Sequence, residues 1–162
     1  MPSHSTEHGT FRIDRTLPAP PPAVFAAFAN QTAKARWFGG PDDASSTDHV
    51  LDFRVGGRER LTTTLPDGPA FIFDAEYRDI VPDARIVYVY DMTQDAARLS
   101  VSVATIELEP DGAGTHLTVT EQGVYLDGRD TMAQRERGTH QLLDQLEASL
   151  TGSTAGTAGV AR

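Results

Sequence analysis

From Val50 to Glu121 the apolar residues recur mainly at every second position, and after Thr131 the spacing lengthens to that of a helix. A two-residue period puts alternate side chains on opposite faces of a strand, so this middle stretch must build half-buried antiparallel strands. A long amphipathic helix follows to cover them. The chain has 162 residues, enough for a single domain with a sizeable core. Its composition, 39% hydrophobic and 23% charged, is that of a globular protein, not of a disordered or membrane chain.

The strands are read from their punctuation. Phe11, Ile13 and Arg15 alternate up to Leu17, and Pro18, Pro20, Pro21 and Pro22 stop that first strand. Pro22 suits the first turn of a helix whose Val24, Phe25 and Phe28 share a face; Asn30 ends it and caps a second short helix running into Trp37-Phe38-Gly39-Gly40. Pro41 to Asp48 is acidic and turn-rich, and is expected to be a mobile loop. Leu51, Phe53 and Val55 then predict a strand joined through Gly56-Gly57 to a second over Arg58 to Leu65. Pro66-Asp67-Gly68-Pro69 and Pro82-Asp83 separate two further strands, one carrying Phe71, Phe73, Ala75 and Tyr77, the other Ile86, Tyr88, Tyr90 and Met92. Leu99, Val101 and Val103 continue the alternation, whereas Ile106 and Leu108 fall in the opposite phase, which predicts a bulge near Ala104-Thr105. After Asp111-Gly112-Ala113-Gly114 comes a last strand with Leu117, Val119 and Glu121, making about seven. Thr131 with Gln134 caps the long helix, whose stripe is Met132, Thr139, Leu142, Leu143, Leu146 and Leu150. Gly138 inside it either permits close backbone packing or leaves room beneath. Residues 1–9 and 151–162 read as flexible ends of a domain spanning 10–150.

Several function classes are disfavoured at once. With 14 Lys and Arg against 23 Asp and Glu the net charge is -9, so nucleic acid and anionic membranes are poor partners. There is no cysteine for a disulfide, a thiolate metal site or a thiol nucleophile. No secretory signal and no spanning segment is visible, so the expected location is cytoplasmic. His4 and His8, or Asp42, Asp43, Asp48 and His49, lack a recognised ligand spacing, so no metal is expected. Gly112-Ala113-Gly114 is a hairpin turn, not a dinucleotide fingerprint, and Ser100 and Ser102 have no nucleophile elbow; no cofactor is expected.

The candidate site is a cavity under the last helix. Glu121 is in phase with Leu117 and Val119, so its carboxylate points to the core side, where it needs a partner. Arg135 lies near the centre of the helix stripe, and the two could form the polar end of an otherwise apolar pocket; alternatively Arg135 reaches solvent and Glu121 bonds locally. Tyr88, Tyr90, Phe73, Phe53 and Trp37 are candidates for the wall, with Thr139 on the roof, the alternative being plain core packing. Trp37-Phe38 could gate the cavity or pin its helix. His140 is read as a flank residue and His116 as facing solvent.

One family carries this pattern. Pro22-Ala23-Val24-Phe25, Ala35-Arg36-Trp37-Phe38, Asp52-Phe53-Arg54-Val55-Gly56-Gly57-Arg58 and Glu76-Tyr77-Arg78-Asp79-Ile80-Val81-Pro82 resemble the bacterial proteins named after the activator of heat-shock-protein-90 ATPase, within the START-like (SRPBCC) superfamily. Gly114-Thr115, Leu117, Thr120-Glu121-Gln122-Gly123 and Gly138-Thr139-His140-Gln141-Leu142-Leu143-Asp144 extend the resemblance over nearly the whole ordered chain. It implies an α+β helix-grip fold: a curved antiparallel sheet of about seven strands around a long C-terminal helix, with two short helices after the first strand. It also implies a cavity for a small hydrophobic or aromatic molecule. The alternatives are a cyclase, dehydratase or hydrolase acting on a polyketide-like substrate, with Glu121, Tyr88 or Tyr90 as acid or base, and a co-chaperone-like interaction module. Edge strands and the Trp37-Phe38 region offer a surface for a homodimer.

Overall fold

The computed structural model describes residues 4–39 and 45–152. In order along the chain come β1 (Thr6–Leu17), α1 (Pro21–Ala29), α2 (Gln31–Ala35), β2 (Ser45–Leu51), β3 (Arg58–Thr64), β4 (Ala70–Val81), β5 (Arg85–Gln94), β6 (Ala97–Asp111), β7 (Gly114–Leu126) and α3 (Met132–Leu150). The seven strands form one antiparallel sheet in the order β1-β7-β6-β5-β4-β3-β2. Strands β2 to β7 meander, while β1 closes the far side against β7. This is a curved sheet gripping a C-terminal helix, the α+β architecture expected from the sequence.

Local chemistry explains the elements. Prolines occupy the first turn of α1, where no amide donor is needed, and Asn30 ends it while its side chain accepts the Ala33 amide at 2.9 Å to cap α2. Thr131 Oγ1 accepts the Gln134 amide at 3.1 Å at the start of α3. Asp83 and Asp95 adopt φ of 63° and 54° in their hairpin turns, a backbone region aspartate tolerates better than most residues.

Four expectations need correction. First, β1 begins at Thr6, where it pairs with Leu126, so the stretch before Thr10 is largely strand. Second, residues 45–48 belong to β2 instead of a loop; residues 41–44 lie outside the described residues. Third, the Leu51 to Val55 strand ends at Leu51. The chain then makes a tight excursion in which Gly57 N donates to Arg54 O at 2.8 Å, and Gly56 N and Tyr77 O bond at 2.8 Å. Phe53 therefore sits in a loop, packed edge-on against Phe25 and Tyr77 at 5.5 and 4.9 Å. Fourth, the phase change in β6 lies at Leu99, not at Ala104-Thr105: the register with β5 shifts between Met92 and Thr93, and the inward residues are Leu99, Ser100, Ser102, Ala104, Ile106 and Leu108. Val101 and Val103 face away from the core. On the inner face Ser100 accepts a hydrogen bond from Arg135, described below, which sets this phase against the apolar preference of the two valines.

The apolar core is unevenly placed. Ile13, Leu17, Val24, Phe28, Ile86, Ile106 and Leu117 pack with Leu143 and Leu146 of α3, joining both short helices, the sheet and the C-terminal half of the long helix. In the N-terminal half of α3 Met132 still packs against this core, but Gln134, Arg135, Gly138 and Thr139 border open space. Gly138 would place a Cβ with nothing within 4 Å, so of the two readings of this glycine, room beneath is the one that holds. Gly57 is the opposite case, because a Cβ there would lie 2.0 Å from the Asp52 carbonyl oxygen. Gly57→Ala should therefore cost roughly 1–3 kcal/mol through forced backbone movement. Gly138→Ala should gain up to about 1 kcal/mol of helix propensity. Urea unfolding of both variants checks the contrast.

Candidate functional site

Where the sheet and the first half of α3 diverge they enclose a cavity of about 810 Å³. Leu61, Phe73, Tyr90, Met92 and Leu99 rise from the sheet, Trp37 and Phe38 close one side, and Gly138, Thr139 and Leu142 form the roof. The volume falls within the range of small-molecule sites, and the lining is mostly apolar with a few converging polar groups.

The first polar group is built on Arg135. Its guanidinium donates from Nη1 to Tyr90 Oη at 2.7 Å and from Nη2 to Ser100 Oγ at 2.8 Å and Asp130 Oδ2 at 2.7 Å. Tyr90 in turn donates to Glu121 Oε2 at 2.8 Å, and Arg135 Nη1 stands 3.6 Å from the same oxygen. The guanidinium also lies over the rings of Tyr90 and Tyr125, 5.5 and 5.4 Å from their centroids. Of the two readings of this pair, the meeting of Glu121 and Arg135 is the one observed. Glu121 is only 4% exposed, and burial raises its pKa against the pull of Arg135 and the Tyr90 hydrogen bond. The Ser102 hydroxyl is near enough to favour the carboxylate but is not aligned for a hydrogen bond.

A second polar group stands on the other side of the cavity. Lys34, 2% exposed, donates to Glu59 Oε1 at 2.6 Å. Tyr77 Oη donates to the same oxygen at 2.5 Å, and His49 Nε2 donates to Glu59 Oε2 at 2.8 Å. The Lys34 ammonium also lies 4.4 Å from the centre of the Phe38 ring. Burial alone would raise Glu59, but the Lys34 charge and three donors outweigh it and hold this carboxyl below its ordinary value. Tyr88 stands between the two groups. Tyr77, Tyr88, Ala104 and Glu121 are register partners across β4, β5, β6 and β7. Burial raises the Tyr88 hydroxyl's pKa, with smaller contributions from Glu121 and Glu59. Among the described residues the hydroxyl has no hydrogen-bond partner.

Residues 18–151 match the model of the family described as Activator of Hsp90 ATPase homolog 1-like protein. The chain belongs to this family. Among solved structures it is similar to a protein from Rhizobium leguminosarum, with 41% identity and a TM-score of 0.88 over 93% of this chain and 99% of that one. A protein from Rhizobium loti is 44% identical, with a TM-score of 0.82 over 90% and 99% of the two chains. One from Chromobacterium violaceum is 30% identical, with a TM-score of 0.74 over 86% and 94%. No curated protein matches the chain. The family thus assigns the activator-homologue fold, a ligand-binding type of domain, and leaves the ligand to be argued from the cavity.

On that fold, seven of the eight residues singled out from the sequence line the cavity: Glu121, Arg135, Tyr88, Tyr90, Phe73, Trp37 and Thr139. Phe53 does not, because the loop that holds it turns it against Phe25 and Tyr77. Trp37 lines the wall but is also fixed, its indole donating to the Ala27 carbonyl at 3.0 Å, which ties α2 to α1. His140 lies on the flank, where Arg15 donates to its carbonyl at 3.1 Å, and His116 meets Asp14 at 2.9 Å while staying partly exposed. Asp42 and Asp43 lie outside the described residues. No group of three metal-ligating side chains occurs among the described residues, and no helix there is long and apolar enough to cross a membrane.

Sequence reasoning missed Lys34, Glu59, Asp130 and the inward turn of Ser100 and Ser102. Glu59 carries the same signal as Glu121, since it alternates in phase with the buried Leu61. Lys34 is the only lysine in a chain with 14 Lys and Arg residues, and that isolation was its signal.

Two outcomes follow. Lys34→Met should cost about 3–5 kcal/mol, because it leaves the Glu59 charge buried beside it unpaired, whereas Lys34→Met with Glu59→Met should cost less than the single change; denaturant unfolding measures both. Glu121 has a folded-state pKa above its unfolded value of about 4.3, so its contribution to stability is complete below that value and is lost as pH rises through the folded pKa. Unfolding followed as the pH is raised from about 4.3 should show a shallower decline in Glu121→Gln than in the wild type.

Proposed function

We propose that the protein binds a small, largely apolar or aromatic molecule bearing at least one oxygen function, held between the sheet and the first half of α3. The observation that carries this reading is the Tyr88 hydroxyl, set in the wall of an apolar cavity of about 810 Å³ with no partner among the described residues. The hydroxyl opens onto the cavity, where a ligand oxygen can accept its proton or donate to it. Arg135, Tyr90 and Glu121 supply a second polar contact, presenting both donors and an acceptor to a carbonyl, hydroxyl or carboxylic acid. The apolar rings of Phe73, Phe38 and Trp37 suit a planar hydrocarbon portion between them.

A specific observation also favours chemistry at this site. Glu121 is a buried carboxyl whose pKa is raised, next to a fixed cation, which is the arrangement of a general acid or base. In that reading Glu121 exchanges a proton with the bound molecule and Arg135 steadies the negative charge that develops. Native mass spectrometry beside the denatured mass tests the binding reading. An extra mass lost on denaturation, and reduced in Tyr88→Phe, is the expected result, and the same compound recovered with altered mass after incubation would favour turnover. A clean mass, together with no binding of the apolar dye Nile red, would count against the cavity as a ligand site.

A further inference from the structure

The chain has a single lysine, and it is buried in the wall of the cavity instead of standing in solvent like most lysines. Its neighbours pair apolar rings, which disfavour the charged form, with a carboxylate within reach of its proton. Glu59 Oε1 lies 2.6 Å from Nζ, Tyr77 Oη lies 3.4 Å from it, and the Phe28, Trp37 and Phe38 rings surround it at 6.0, 6.0 and 4.4 Å. We propose that Lys34 captures an apolar aldehyde or ketone from the cavity as a Schiff base, with Glu59 as the proton acceptor and donor for the step. The inference rests on the cavity being the ligand site, and adds to it the class of ligand and the atom that bonds it.

The step closes without a co-reactant. The Lys34 ammonium passes a proton to Glu59, and the Nζ lone pair forms a bond to the carbonyl carbon while the C=O π pair moves to oxygen. The resulting carbinolamine loses its oxygen as water, taking up the proton returned by Glu59 and one more from nitrogen as the addition product rearranges. Ammonium and carbonyl thus become iminium and one water. Burial favours the neutral amine that the attack needs, lowering the Lys34 pKa against the opposing charge of Glu59. Tyr77, donating to the same carboxylate oxygen, holds Glu59 in place during the exchange. The Tyr88 hydroxyl, on the register partner of Tyr77 in β5, is the donor placed to polarise a carbonyl oxygen in the cavity.

Because there is one lysine, reductive trapping reads the proposal on the wild-type protein. The full chain is incubated with naphthaldehyde and sodium cyanoborohydride, then digested and mapped by mass. The expected result is a gain equal to the aldehyde's mass less one oxygen atom on the peptide containing Lys34, with a rate that saturates in aldehyde while labelling of the α-amine rises linearly. Trapping lost in Glu59→Gln, with Nile red still bound, would assign the proton exchange to Glu59. Nile red displacement by naphthaldehyde is measured in parallel. Displacement without an adduct at Lys34, or an adduct confined to the α-amine, overturns the Schiff base and leaves the cavity reading standing. Nile red and naphthaldehyde both failing to bind overturns the two together.

Discussion

The guanidinium of Arg135 does for the first half of α3 what leucines do for the second. Over Leu143 and Leu146 the helix is held to the sheet by buried hydrocarbon, which requires close contact. Farther toward its N-terminus the helix stands off, and the link is a long cationic side chain bonded to Tyr90, Ser100 and Asp130, with Glu121 behind. Such a link keeps its length only while each donor has an acceptor, and the acceptors come from β5, β6 and the turn before α3. The cavity exists because two faces are joined at a distance by hydrogen bonds rather than drawn together by apolar burial. Gly138, adding no side chain beneath the helix, keeps that space open.

This dependence explains which parts of the fold were legible. The alternation of Phe73, Ala75 and Tyr77, the capping role of Asn30 and the Thr131–Gln134 cap are local rules, and all appear in the structure. The inward phase of Glu121 is also local, and placed it opposite Arg135 correctly. β6 failed for a reason that is not local. Reading Val101 and Val103 as inward is the better guess from hydrophobicity alone, but Ser100 is needed inside by a residue on another element, 35 positions away. Phe53 failed likewise, because the loop from Asp52 to Gly57 is set by hydrogen bonds to Tyr77 in β4. Lys34 was invisible as a site residue because its helix has only five residues, too short to define a buried face, and its partner Glu59 lies in β3, 25 positions away.

The two polar groups show how one carboxyl chemistry is given two characters. Glu59 is fully buried yet held ionised, since a lysine, a tyrosine and a histidine supply its oxygens with donors. Glu121 is almost as deeply buried, but the nearest guanidinium nitrogen to its Oε2 is 3.6 Å away and is shared with Tyr90. Its desolvation is less completely answered, and its carboxyl moves toward the neutral form. The same cross-strand row that carries Tyr77, Tyr88 and Glu121 thus runs from a firmly ionic end to one that can gain or lose a proton.

A ligand lying along that row would meet three different polar environments. At one end is an ion pair that can release a neutral amine only if a proton moves within it, in the middle a tyrosine hydroxyl with no hydrogen-bond partner among the described residues, and at the other end a carboxyl whose pKa burial raises beside an arginine. The apolar walls select for hydrocarbon but discriminate weakly between molecules of similar size, since each methylene is worth only about 1 kcal/mol. Discrimination must come from where a ligand's oxygens fall relative to Tyr88 and the two ends, because a misplaced oxygen leaves buried polar groups unpaired on both sides of the contact. In the proposed binding role, the spacing of oxygen functions along a molecule, rather than its bulk, is therefore the property by which this cavity would select.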